Sequence, residues 1–167
     1  MTNDTLLRLH EGEVRPEWID FNGHMNLAYY VLAFDHATDR FLHHIGLGEK
    51  YFRQHNRSVF VLETHVVYKQ ELKLGDRMRF TTQLLGFDAK RIHYIHHMYH
   101  AGEGFQAAAN EIMGLHVDMA ARKSTPMLAV PCAALGNLPR PGRGQTGHSA
   151  RIGRSNRQCG YSHCPKA

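Results

Sequence analysis

The residues best suited to chemistry lie between Asp20 and Tyr30. Asp20 comes directly before a polar, turn-prone segment that contains an Asn-Gly step. From Leu27 onward, apolar residues recur at spacings of three and four, which predicts an amphipathic helix. Unpaired backbone N–H groups and the positive end of the helix dipole gather where a helix starts. A carbonyl group placed there would have its developing negative charge stabilised by fixed donors.

Two interpretations of this junction are open from the residues alone. In the first, the Asp20 carboxylate activates water or attacks the carbonyl itself, and Gly23 lets a ligand approach the backbone closely. In the second, the segment is an ordinary capping turn, because Asp and Asn favour helix N-caps wherever they occur. Either Asn22 or Asn26 can serve as the N-cap.

The elements that must position this junction are predicted from the spacing of apolar residues. A loosely alternating edge strand is expected from Leu7, ending near Pro16, and the helix is expected to run from Leu27 to Ile45, where Gly46 stops it. Four further strands with turns between them are predicted at residues 58–69, 77–85, 91–100 and 105–119. One long helix followed by meandering strands indicates an α+β fold in which a curved antiparallel sheet wraps the helix.

The segment from Val14 to Tyr30 resembles the Asp-x-Asn-Gly-His-x-Asn-x-x-(x)-Tyr segment of the 4-hydroxybenzoyl-CoA-type hot-dog thioesterases. The later turn 74–76 (Leu-Gly-Asp) and the order of elements are similar to that family too, over roughly Leu9 to Arg122. The resemblance implies a hot-dog fold that hydrolyses an acyl-CoA thioester to the free acid and coenzyme A, without a metal or redox cofactor. It also implies sites between subunits, and hence a homodimer or homotetramer.

Site residues follow from the resemblance position by position. Asp20 matches the catalytic carboxylate, Gly23 with His24 matches the oxyanion-binding turn, and Glu63 is a candidate for polarising water or holding His24. For Glu63, the alternative is an exposed or structurally paired carboxylate. The residues expected around the substrate are Trp18, Asn26, Tyr29, Tyr30, Lys90 and Arg91, the last two on the coenzyme A phosphates.

The chain departs from the family at Trp18, where many members carry a second Asp. The segments 16–20 and 29–35 resemble thioesterases linked with carnitine breakdown, which favours betainyl-CoA as the substrate. Quaternary ammonium groups bind in cages of aromatic rings. Tyr30 and Phe34 lie on the apolar stripe of the helix and are candidates for the core, so Trp18, Phe21 and Tyr29 are the better cage candidates.

Basic residues are concentrated at the carboxyl end, and this raises the alternative of a nucleic-acid-binding protein. The net charge is +5, but six of the 20 basic residues and none of the 15 acidic ones follow residue 123, which leaves 14 basic residues within positions 1–123. Only Tyr161 supplies an aromatic side chain there, so nucleic-acid binding is not favoured. We predict a thioesterase domain over residues 1–139 and a loosely ordered tail over 140–167. A non-catalytic acyl-binding hot-dog domain is the other alternative.

Histidines and cysteines raise the question of a metal site. His93 and His97 would face one side of a strand and His96 and His100 the other, which favours exposed strand histidines over a metal site. Cys159 and Cys164 match no common zinc pattern, so no metal is predicted. No apolar run is long enough to span a bilayer and no leader opens the chain, so a cytoplasmic location without membrane association is expected.

Overall fold

A curved antiparallel sheet wraps one long helix in the computed structural model, which describes residues 6–139. The strands follow the order β1-β3-β4-β5-β2, and the short β6 pairs with β5. The elements are β1 (Leu7–Glu13), a 3-10 turn (Pro16–Trp18), α1 (Leu27–His44), α2 (Glu49–His55), β2 (Arg57–Tyr68), β3 (Arg77–Phe87), β4 (Arg91–His100), β5 (Gln106–Asp118), β6 (Lys123–Ser124) and α3 (Ala129–Gly136).

The central helix α1 buries one stripe against the concave face of the sheet, as its periodicity predicts. Its buried residues are Tyr30, Ala33, Phe34, Ala37, Thr38 and Phe41. Asn26 is the N-cap, and its side chain accepts a hydrogen bond from the N–H of Ala28 at 3.0 Å. Packing of α1 against β1, β3, β4 and β5 fixes where the start of the helix lies, and therefore where the Asp20 segment lies.

The strands occupy the predicted parts of the chain, with differences at their ends. The first strand is shorter than expected, since β1 ends at Glu13 and Pro16 begins the 3-10 turn. The helices α2 and α3 were not predicted. β1 and β2 form the two edges of the described sheet, and β2 carries a bulge between Val61 and Glu63. The bulge shifts the alternation of side chains, so that Val59 and Val66 both pack toward the helix.

The interpretation of the strand histidines as exposed was wrong, because His93, His97 and His100 are partly buried and His96 is completely buried. Its Nε2 lies 3.0 Å from the hydroxyl of Thr38 on α1, and its Nδ1 lies 2.8 Å from that of Thr82 on β3. Burial, and then the nearby His97 and His10, lower the pKa of His96 to about 3. The ring is therefore neutral at pH 7 and joins the helix to the sheet.

His93 also belongs to a specific pair rather than to a solvated face. Its Nε2 lies 2.6 Å from Oε1 of Glu111, a carboxylate on β5 that is only 4% exposed. Between residues 6 and 139, no three His, Cys, Asp or Glu side chains converge as a metal site would require. No helix in the same range is long and apolar enough to cross a membrane. The predicted tail, with Cys159 and Cys164, lies outside the described residues.

Candidate active site

Asp20 is held by a tight turn that precedes α1. Its backbone N–H donates to the carbonyl of His24 at 3.1 Å, and its carbonyl accepts from the N–H of Gly23 at 3.0 Å. Gly23 adopts φ +80, a conformation that glycine reaches without strain. Oδ1 of Asp20 accepts from the N–H of Asn22 at 2.8 Å. Oδ2 has no donor among the described residues, so one carboxylate oxygen is anchored and the other can act on a ligand.

The loop after β2 is fastened across this turn by Leu72. The N–H of Met25 donates to the carbonyl of Leu72 at 2.8 Å, and the N–H of Leu72 donates to the buried hydroxyl of Tyr30 at 3.0 Å. At the end of β2, the hydroxyl of Tyr68 donates to the carbonyl of Leu27 at 3.3 Å. These three bonds hold the loop against the first turn of α1 and leave a cleft between them.

The cleft has a volume of about 380 Å³ and opens beside Asp20. Its lining residues are Asp20, Asn22, His24, Met25, Leu27, Tyr30, Tyr68, Lys69, Gln70 and Glu71. The structure therefore brings three of the predicted site residues together: Asp20, His24 and Tyr30. The wall formed by residues 68–71 was missed by the sequence analysis, because it reaches the helix through contacts more than 40 positions apart in the chain.

Two residues that line the cleft near the start of α1 have backbone N–H groups that are unused in the described part of the chain. The N–H groups of His24 and of Leu27, the first residue of α1, have no acceptor among residues 6–139. A first-turn N–H has no partner within its own helix. The N–H of Gly23 is already used by the Asp20 carbonyl, so Gly23 contributes the shape of the turn rather than a donor. Leu27 is thus a functional candidate that the motif itself did not reveal.

Two of the aromatic residues expected around the substrate are packed elsewhere. Trp18 is only 5% exposed and stacks on Tyr29, with ring centroids 5.6 Å apart and an interplanar angle of 13°. The guanidinium of Arg15 lies 5.5 Å from the centre of the Trp18 ring. Neither Trp18 nor Tyr29 lines the cleft, whereas Phe21 is 97% exposed on the turn itself. The rings that do line the cleft are those of Tyr30 and Tyr68.

The side chains that line the cleft include more carboxylates than ammonium groups. Asp20 and Glu71 supply two carboxylates, while the ammonium of Lys69 is directed to Oε1 of Gln106, 2.6 Å away. Burial raises the pKa of both Tyr30 and Tyr68, so both hydroxyls stay protonated at neutral pH. For Tyr30, the hydrogen bond from Leu72 opposes that rise, and the nearby Glu71 adds to it.

The remaining candidates lie away from Asp20 within one chain. Glu63 is exposed on the β2 edge. Thr64 and Val66 share the face of the strand that packs toward the helix, and neighbouring side chains of a strand point to opposite faces. Glu63 therefore points away from the helix. Lys90 and Arg91 come just after β3, and the opposite end of β3 adjoins the Asp20 region. The eleven residues of this strand span roughly 35 Å, so Lys90 and Arg91 lie far from Asp20 of the same chain.

The β3–β4 turn itself is well ordered by Asp88. Its Oδ1 accepts from the N–H groups of Lys90 and Arg91 at 2.9 and 2.8 Å, and its Oδ2 accepts from Nε of Arg91 at 2.7 Å. Burial alone would raise the pKa of Asp88, but the hydrogen bonds from Arg91 and Lys90 outweigh it and hold that pKa below its usual range. The turn therefore presents Lys90 and Arg91 on a fixed backbone.

Comparison with known proteins identifies the family of this chain. The family model of the thioesterase-like superfamily matches residues 14–135, which include the Asp20 turn, α1 and the whole of β2 to β5. The chain belongs to the thioesterase-like superfamily. The acyl-CoA thioesterase activity and the hot-dog fold expected from the Asp20 motif are therefore confirmed.

Individual relatives of this thioesterase agree with the family assignment. A betainyl-CoA thioesterase of Pseudomonas aeruginosa is 42% identical over 121 residues, 72% of this chain and 76% of that protein. An L-carnitine dehydrogenase/betainyl-CoA thioesterase of Agrobacterium fabrum is 40% identical over 135 residues, 81% of this chain but 28% of that protein. A Staphylococcus aureus protein solved in complex with CoA superposes with a TM-score of 0.76 at 28% identity, covering 83% of this chain and 86% of that one.

Proposed function

We propose that this thioesterase hydrolyses betainyl-CoA to betaine and coenzyme A. The observation that carries the proposal is the Asp20 cleft, which combines a half-anchored carboxylate, unused backbone donors and a negative, aromatic lining. The name of the P. aeruginosa relative, 42% identical to this chain, supports the choice of substrate. The proposal places the enzyme in carnitine breakdown. It does so because the A. fabrum relative is named both as an L-carnitine dehydrogenase and as a betainyl-CoA thioesterase.

The proposed chemistry follows from the positions of the donors and the carboxylate. The thioester oxygen lies at the start of α1, where the N–H groups of Leu27 and His24 and the helix dipole stabilise the charge that develops on it. Oδ2 of Asp20 removes a proton from the attacking water or attacks the carbonyl carbon itself. In the first route, the oxygen of water bonds to the carbonyl carbon and the C–S bond breaks. In the second, the C–S bond breaks as an anhydride forms between Asp20 and the acyl group, and water then cleaves that anhydride. In both routes a proton from the water goes to the sulfur, so coenzyme A leaves as the thiol, and the rest of the water completes the acid.

The proposal includes a homodimer formed through β2. This edge strand exposes Val61 (47%) and Leu62 (55%), and pairing with a second copy would cover both these apolar side chains and the backbone groups of the edge. A two-fold axis through the middle of β2 makes the pairing antiparallel. The start of one β2 then lies beside the end of the other, where Tyr68 adjoins the Asp20 cleft.

The dimer gives Lys90 and Arg91 a role that a single chain does not. The carbonyl of Lys90 accepts from the N–H of His116 at 2.7 Å, and His116 pairs with Val59 near the start of β2. The β3–β4 turn therefore lies at the end of the sheet that a two-fold would bring to the partner's Asp20 cleft. We propose that these basic residues bind the coenzyme A phosphates of the substrate held by the other subunit. Assembly of two dimers into a tetramer and a cytoplasmic location stay predictions.

The proposal is tested by the rate of thiol release from a panel of acyl-CoA substrates. The panel contains betainyl-CoA, its neutral isostere 3,3-dimethylbutanoyl-CoA, acetyl-CoA and benzoyl-CoA. We expect the highest kcat/KM for betainyl-CoA, by about tenfold over the isostere, which corresponds to roughly 1.4 kcal/mol. Faster hydrolysis of a neutral substrate would contradict the proposed specificity. Binding of the panel without thiol release would instead favour the non-catalytic acyl-binding alternative.

A further inference from the structure

The wall of the cleft opposite the start of α1 has the composition of a cation-binding surface. Tyr30 and Tyr68 meet edge to face, with ring centroids 5.3 Å apart and an interplanar angle of 88°. Tyr30 is buried, but Tyr68 remains 46% exposed, so its ring is available to a ligand in the cleft. The bond from its hydroxyl to the Leu27 carbonyl fixes the ring beside the proposed oxyanion position. Such a ring attracts a cation through its negative face.

A carboxylate lies on the same wall. Glu71 lines the cleft, and its only described ion pair is with Lys73, at 3.7 Å, with both side chains more than half exposed. An ion pair of that kind is weak and leaves the carboxylate able to attract a second cation. The neighbouring Lys69, which would repel one, has its ammonium bound to Gln106 at 2.6 Å. That bond holds the Lys69 ammonium toward β5 but leaves its charge in place, so the excess of negative charge in the cleft comes from Glu71 together with Asp20.

The size of the betainyl group restricts where its charge can lie. The quaternary nitrogen is separated from the thioester carbonyl by one methylene, so a carbonyl at the start of α1 places the cation inside the same cleft. Trp18 and Tyr29, which stack on each other and do not line the cleft, cannot contact it there. Tyr68 and Glu71 lie on the wall that faces the helix start.

We infer that Tyr68 and Glu71 determine the acyl specificity of this enzyme by binding the trimethylammonium group, the tyrosine through its ring and the glutamate through its charge. This inference rests on the proposed function, because it assigns residues to the recognition of the proposed substrate. It replaces the cage of Trp18, Phe21 and Tyr29 that the sequence suggests. Neither residue is required for hydrolysis itself, so both act on the choice between a cationic and a neutral acyl group.

The test compares kcat/KM for betainyl-CoA and for 3,3-dimethylbutanoyl-CoA, which has the same shape without the charge. Variants Glu71→Gln, Tyr68→Leu and Tyr68→Phe are measured beside the wild type. Glu49→Gln is the matched control, because Glu49 is a similarly exposed carboxylate paired with Arg53 on α2 and does not line the cleft. Melting temperatures establish that each variant is folded.

We expect Glu71→Gln and Tyr68→Leu each to lower the preference for betainyl-CoA by about fivefold or more. For Glu71→Gln, the rate with the neutral substrate should stay within about twofold, as expected for loss of a single cation contact. Tyr68→Leu also loses the hydrogen bond to the Leu27 carbonyl, so its preference is compared with that of Tyr68→Phe, which loses the same bond but keeps the ring. Tyr68→Phe, which keeps the ring, and Glu49→Gln should keep the preference. Equal losses with both substrates in folded variants, or an unchanged preference, would overturn the inference while leaving the proposed function intact. A wild type without any preference would overturn the proposed function, and this inference with it.

Discussion

The N–H of Leu72 donates to the hydroxyl of Tyr30 at 3.0 Å, and this bond joins the loop after β2 to the first turn of α1. Leu72 is completely buried, so water cannot replace the lost acceptor if the hydroxyl is removed. The carbonyl of the same residue accepts from Met25. Leu72 therefore holds together the two walls of the cleft beside Asp20.

Tyr30→Phe should lower the free energy of unfolding by about 1–3 kcal/mol, because it leaves the buried N–H of Leu72 without a partner. Urea denaturation monitored by tryptophan fluorescence measures this. Tyr29→Phe is the control, since the Tyr29 hydroxyl has no hydrogen-bond partner within residues 6–139, and it should change the free energy by less than about 0.5 kcal/mol. Equal stability of the two variants would show that the Leu72 bond contributes nothing.

The buried His96 should make the protein less stable in mild acid. Its pKa is about 3 in the folded state against 6.5 in the unfolded chain, so between these values the unfolded state binds the extra proton. Stability from this residue is complete above pH 6.5 and is lost as the pH falls, by about 2 kcal/mol at pH 5.

Unfolding free energies of the wild type and His96→Gln from pH 5 to 7.5 check this expectation. The His96 variant should be less stable at pH 7.5 but should lose less stability on acidification than the wild type. Parallel curves for the two proteins would mean that the titration of His96 does not matter.

Much of the fold could be predicted from the spacing of apolar residues, and the exceptions have physical reasons. The stripe of α1 and the alternation in the strands are long enough to show their periods. The helix α2 is seven residues long and buries only Tyr51, so it has no detectable stripe. His96 was taken as exposed because of its polarity, although it shares a strand face with the apolar Tyr94 and Met98. Here the alternation was a better guide than the residue type.

The candidate site could be predicted only in its local part. Asp20, Gly23 and the N-cap Asn26 belong to one short turn whose residue types indicate its conformation. The opposite wall, with Tyr68 and Glu71, comes from a loop that reaches the turn through tertiary packing. No local pattern in the sequence predicts that contact. Motif matching therefore pointed to Asp20, which lines the cleft, and missed the residues that we assign to the acyl group.

A close contact between β2 and β5 gives a separate test of the sheet packing. A methyl group added at Gly114 would lie 2.8 Å from Cγ1 of Val59, a stiff side chain that packs against the core. Gly114→Ala should therefore cost about 1–3 kcal/mol of unfolding free energy. Gly136→Ala, at a helical position with nothing within 4 Å, should be neutral or stabilising by up to about 1 kcal/mol. A neutral Gly114→Ala would contradict the register of these two strands.

The proposed dimer is tested by placing charges on the β2 edge. The double variant Val61→Lys, Leu62→Lys should shift the protein from dimer to monomer in size-exclusion chromatography with light scattering, because lysines oppose pairing of edge strands. Activity should fall with it, since the site would lose the partner's Lys90 and Arg91. Val130→Lys, an equally drastic change at an exposed residue of α3, should leave size and activity unchanged. A fully active monomer would exclude the shared site.

The most direct test of the catalytic account is Asp20→Asn, assayed by thiol release from betainyl-CoA. An asparagine can accept the same hydrogen bond from Asn22 as Oδ1 of Asp20 does, so the turn and the melting temperature should be preserved. The activity should nevertheless fall by at least about 100-fold, because an amide can neither take a proton from water nor attack the thioester. Asp39→Asn, on the exposed side of α1, should keep the wild-type rate. A folded Asp20→Asn enzyme with near wild-type kcat would contradict the assignment of Asp20 as the catalytic carboxylate.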